Sequence, residues 1–173
     1  TTLLTIKERQ PWLKNLINGY LLEFYNIRKN SLKTIDIANS IIKSNPKNVT
    51  EIMCIKANAL NDIGDINSAI EVMEGILKID ENNIDARLFL GNYFFISAKQ
   101  SIKEGNFTVK IPSKKGKGKE DIKYINTDIY SALKRAKIYL NVEYLTDKRP
   151  YVQNIVKEID SMIKAFEESI KEN

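Results

Sequence analysis

Residues 48–95 read NVTEIMCIKANALNDIGDINSAIEVMEGILKIDENNIDARLFLGNYFF, and this stretch decides the fold because it repeats at a step of 34. Asn48 recurs as Asn82, Glu51 as Asp85, Ala57 as Gly91 and Leu60 as Phe94; just upstream, Ile42 recurs as Ile76. A fixed period of this length marks stacked supersecondary units, each too small to bury its apolar face alone. Apolar residues inside each unit recur at helical spacing, so the unit reads as two helices joined by a turn.

Working outward, the spacing predicts seven helices, at about 11–28, 31–44, 49–63, 66–79, 84–100, 122–145 and from Asp147 and Pro150 onward. In the first, Trp12, Leu13, Leu16, Ile17, Tyr20, Leu21 and Phe24 form a wide apolar stripe at helical spacing. Leu32, Ile35, Ala38, Ile41 and Ile42 are the inward set of the second. Asn48 with Glu51, and Asn82 with Asp85, read as helix-start boxes in which the Asn side chain accepts from an unpaired backbone N–H. Gly64-Asp65 marks the turn between them. In the last helix Val152, Val156, Ile159, Ile163, Phe166 and Ile170 alternate steps of four and three. Ile155 and Met162 widen that stripe beyond a two-helix seam, which predicts a capping helix over 149–172.

Residues 50–83 resemble a tetratricopeptide repeat (TPR). The resemblance rests on small Ala57 with Leu60 three on, Gly64 at the turn, small Ala69 with Met73, and Asp80-Glu81 where Pro is usual. Residues 84–98 restart the motif with Gly91 and Phe94, residues 16–49 match only in their second half, and the third repeat (84–142) is interrupted by an insertion at 101–123. Met53 stands where Trp is usual, and Lys56 at a normally apolar position. The resemblance implies an all-α, antiparallel helix-hairpin array, a TPR-like α-solenoid, forming a single domain over residues 1–173. It further implies a protein–protein interaction module, an adaptor or assembly scaffold, that binds a peptide or partner helix on its concave helix-A face. The register puts Tyr20, Phe24, Glu51, Asn58, Asn61, Asp62, Leu88, Asn92 and Phe95 on that face. The clamp by which similar domains hold chaperone tails is not expected, because Cys54 replaces its Lys and Phe89 and Phe95 replace polar residues.

The net charge of +5 comes entirely from residues 99–123, where eight lysines face Glu104, Glu120 and Asp121. Phe107–Ile111 alternates like a short strand; SKKGKGK at 113–119 then places Lys114, Lys115, Lys117 and Lys119 on a basic loop. No phosphate-binding loop pattern surrounds it. Nucleic acid is disfavoured as a partner, since Phe107 is the one aromatic within residues 99–123. The alternative reading is a membrane-tethered cell-envelope module whose lysine loop touches anionic lipid or nucleic acid. Its tether would lie in a segment removed upstream of Thr1, so the compartment stays open between cytoplasm and envelope. The absence of His excludes Ser-His and Cys-His catalysis and His-ligated zinc within this chain, and Cys54 is alone. The expectation is a non-enzymatic monomer or weak homodimer, with no cofactor and no metal, whose partner is another protein.

Overall fold

The computed structural model describes residues 13–44, 46–105, 108–111 and 122–171. The chain is an all-α helical array, in which the described residues form α1 (Lys14–Ile27), α2 (Ser31–Ile42), α3 (Val49–Asp62), α4 (Ile66–Ile79) and α5 (Ile84–Lys103). A two-stranded insertion follows, β1 (Thr108–Ile111) and β2 (Ile122–Ile125), and then α6 (Thr127–Leu140), α7 (Glu143–Lys148) and α8 (Pro150–Lys171).

The local chemistry repeats at 35 rather than 34. Asn30 and Asp65 both cap a helix, accepting from the N–H groups of Lys33 (3.3 Å) and Ser68 (3.2 Å). Buried Thr34, Ala38 and Ile41 of α2 reappear at the same step as buried Ala69, Met73 and Ile76 of α4. Ile41, not Ile42, is therefore the counterpart of Ile76. The step of 34 survives between the cores of α3 and α5, where buried Ile52, Ala57 and Leu60 correspond to Ala86, Gly91 and Phe94.

The expected helix-start boxes are also rearranged. Asn48 makes no cap bond; its Nδ2 donates instead to Glu51 Oε2 at 3.2 Å. At the next start Asn83 is the cap, accepting from Ala86 N–H at 3.1 Å, while Asn82 N–H donates to Asp80 Oδ1 at 3.1 Å.

Two helix ends share one geometry. After α1, Lys29 N–H donates to Asn26 O and Asn30 N–H to Tyr25 O; after α3, Gly64 N–H donates to Asn61 O and Asp65 N–H to Leu60 O. This paired closure requires a left-handed residue at its corner. Gly64 takes it at φ 83° and Lys29 at φ 54°.

Packing divides the chain into two compact units, residues 1–86 and 87–173, where the sequence suggested one continuous domain. In the first unit α1 packs on α2, α2 on α3 and α3 on α4. Its core joins Leu22, Ala38, Ile41 and Ile52, with Ile37, Ile42 and Ile55 against them. The wide stripe of α1 is split between core and surface. Ile17, Asn18, Leu21 and Leu22 are buried, whereas Leu16, Tyr20 and Phe24 are exposed, as is Leu32 of α2. Asn18 is admitted to the interior because its Nδ2 donates to Ser40 Oγ at 3.3 Å; its Oδ1 meets no donor among the described residues.

In the second unit α5 touches α6 at Gly91. A Cβ on Gly91 would lie 2.6 Å from Leu140 Cδ2, and Phe94 stacks on Tyr139 with centroids 6.0 Å apart. α8 packs on α6, α7 and β2. Val152, Val156, Ile159 and Phe166 of its seam are buried. Lys137 pairs with Asp160 at 2.7 Å and Lys99 with Glu158 at 2.7 Å, fastening α8 to α6 and α5.

The predicted helix over 122–145 is shorter than its spacing suggested. Residues 122–125 pair antiparallel with 108–111, Thr108 opposite Ile125 and Ile111 opposite Ile122. Asn126 then caps α6, accepting from Asp128 N–H at 3.0 Å. Ile122, Tyr124 and Ile125 suit a strand as well as a helical stripe, and the cap settles where the helix begins. Lys114, Lys115, Lys117 and Lys119 lie outside the described residues. Among the described residues, no helix is long and apolar enough to cross a membrane.

The shared helix-end geometry predicts opposite effects at equivalent positions. A non-glycine left-handed residue costs about 1–2 kcal/mol, against a smaller entropic cost for glycine. Lys29→Gly should raise unfolding free energy by about 1 kcal/mol, and Gly64→Ala, whose Cβ meets nothing, should lower it by a similar amount. Urea titration followed by circular dichroism checks both signs.

Candidate functional site

In the first unit a cavity of about 510 Å³ opens beside α1 and α3. The four-residue rhythm of α1 brings Asn15, Gly19 and Glu23 to one line, continued by Asn26; α3 contributes Asn48, Glu51 and Ile55. Leu22, Ile41 and Ile52, all buried, form an apolar floor. Ser44 and Pro46 add lining from the segment beyond α2. The rim therefore offers carboxamides, a hydroxyl and two carboxylates above aliphatic side chains. An apolar pocket with a few convergent polar groups is the usual form of a binding site.

Gly19 explains part of the opening. It lies mid-helix, where glycine costs about 1 kcal/mol relative to alanine. A Cβ there would meet nothing within 4 Å, so packing does not demand the glycine.

A second feature lies one residue further along α1, about 100° around its axis. Leu16, Tyr20, Phe24 and Ile27 are 58%, 57%, 50% and 70% exposed. They form an unburied apolar stripe beside the polar line of the cavity. Phe24 meets Tyr25 edge-on at 5.4 Å, and the Arg28 guanidinium sits 5.6 Å from the Phe24 centroid.

The residues singled out from sequence divide accordingly. Glu51 lines the cavity, and Tyr20 and Phe24 stand on the neighbouring stripe of α1. Asn58, Asn61 and Asp62 are exposed further along α3, and Asn92 is half-buried. Leu88 and Phe95 are only 8% and 6% exposed, so they present little side chain to a partner; the Lys99 ammonium covers the Phe95 ring at 5.1 Å. Sequence reasoning missed Asn15, Gly19, Glu23, Asn26 and Ile55 because the apolar stripe dominates α1. The available signal was a glycine inside an otherwise sound helix.

Cys54, half-buried on α3, reports the electrostatics of this region. Burial first, then the carboxylates of Asp85 and Glu51, push its thiol up to about 11 from an ordinary 9.0. Among the described residues no group of His, Cys, Asp and Glu is placed to hold a metal ion.

No family model matches the sequence, and no curated protein matches it. A crystal structure of a protein from Bacteroides ovatus ATCC 8483, to which protein binding has been provisionally ascribed, is similar to this chain. The TM-score is 0.64 at 19% identity, over 88% of this chain and 74% of that one. At this identity the likeness shows a shared fold.

The raised thiol makes a prediction. The folded chain should alkylate slowly at neutral pH, its rate climbing with a midpoint near pH 11, while the urea-unfolded chain titrates near 9.0. Glu51→Gln should move the folded midpoint downward. Iodoacetamide labelling read by mass spectrometry across pH tests this; identical folded and unfolded profiles would contradict it.

Proposed function

We propose that this chain is a TPR-like interaction module that docks a peptide segment of another protein in the groove beside α1 and α3. The observation that carries the reading is the cavity itself: a floor of Leu22, Ile41 and Ile52 below a rim of Asn15, Asn26 and Asn48. A carboxamide offers both donor and acceptor, which suits an extended peptide backbone. The aliphatic floor suits one or two inserted side chains, and buried anchors dominate small interfaces. The exposed Leu16, Tyr20, Phe24 and Ile27 extend the apolar area beyond the cavity mouth. The TPR-like assignment is supported by residues 50–83, whose small Ala57 and Ala69 are both fully buried (0%). The provisional protein-binding role of the Bacteroides ovatus protein agrees with this reading.

Gly19 gives the test. Gly19→Ala should stabilise α1 by up to about 1 kcal/mol and leave room in the groove. Gly19→Trp should fill the groove without displacing core residues. The native chain should enrich peptides from a random-peptide display library. Those peptides should lose at least tenfold affinity, about 1.4 kcal/mol, for the Trp variant, whose circular dichroism and melting stay native. Equal binding to both chains would place the peptides elsewhere and contradict the reading.

A further inference from the structure

We propose that the groove selects a cationic segment, one with a Lys or Arg next to an aliphatic residue. This rests on the groove being the docking site. The charged side chains that line it are Glu23 on α1 and Glu51 on α3. Among the described residues no Lys or Arg lines it.

Both carboxylates belong to exposed residues at the rim, while Leu22 and Ile52 lie buried at the floor. A Lys or Arg stem can lie along such a floor while its charged head reaches the carboxylates. The neighbouring aliphatic residue occupies the remaining apolar space. Asn48 Nδ2 already donates to Glu51 Oε2, which orients that carboxylate before a ligand arrives. Burial is the main cause of the raised Cys54 thiol, and the carboxylates of Asp85 and then Glu51 add to it, which agrees with negative charge beside α3. An acidic peptide would meet two like charges and, among the described lining residues, no cation.

The test uses the full chain and a random-peptide display library. Enriched sequences should contain Lys or Arg beside Leu, Ile, Val or Met. A synthetic peptide of that type should bind at least tenfold more weakly when its cation is replaced by Glu. Glu23→Gln with Glu51→Gln keeps side-chain size and should erase the discrimination between the two peptides, as should high salt, which screens charges at the rim. Enrichment of neutral or acidic sequences, or unchanged discrimination in the double Gln variant, overturns the cation selection while leaving the groove standing. Selected peptides that bind the Gly19→Trp chain as well as the native one, or no enrichment on the native chain, overturn the groove and this selection together.

Discussion

The array depends on small residues at its tightest packing points. Ala38, Ala57 and Ala69 are fully buried in the first unit, and Gly91 in the second leaves no space for a Cβ against Leu140. Helices can approach only as closely as the side chains between them allow, and protein interiors leave few voids. Where small residues meet large ones, as at Gly91 and Leu140, the contact closes. At Gly19 no neighbour fills the vacated volume, and the surface opens into a cavity lined by Asn15, Glu23 and Glu51. Glycine thus has opposite consequences at two helix-interior sites.

The magnitudes assign different tasks to floor and rim. Burying one aliphatic side chain on the floor contributes about 1.5–3 kcal/mol. An ion pair at an exposed rim contributes about 0–1 kcal/mol. In the proposed docking, affinity would come mainly from Leu22, Ile41 and Ile52, whereas Glu23 and Glu51 would discriminate between ligands of different charge. The apolar stripe of α1 adds area, and its partial exposure is unlike the seam of α8, where Val152, Ile159 and Phe166 are sealed at 0%.

The all-α class and the last helix were legible because helical spacing survives in sequence, as in Val152, Val156, Ile159 and Phe166. The period was legible to within one residue. Asn48 and Asn82 aligned by residue type, but capping depends on where the chain turns, and Asn83 takes the second cap. The start of α6 was misread because Ile125 fits a helical stripe, while pairing of 108–111 with 122–125 is a long-range fact that local spacing cannot show. The site was the least legible part. Leu16, Ile17, Tyr20, Leu21 and Phe24 read as one wide stripe, yet only Ile17 and Leu21 of it, with Asn18 and Leu22, meet the core. One helix bearing two apolar lines does not declare which line faces inward. That is settled by α2, where Ser40 receives the Asn18 amide.

The central claim is that ligand binding occurs in the groove of the first unit. The most direct measurement is a ¹H–¹⁵N correlation titration of the labelled full chain with a peptide selected on it. The account predicts perturbation of the side-chain amides of Asn15, Asn26 and Asn48 and the backbone amides of Gly19, Ile52 and Ile55, with α6 and α8 undisturbed. Shifts centred on α6 and α8, with those groove signals unmoved, would contradict it.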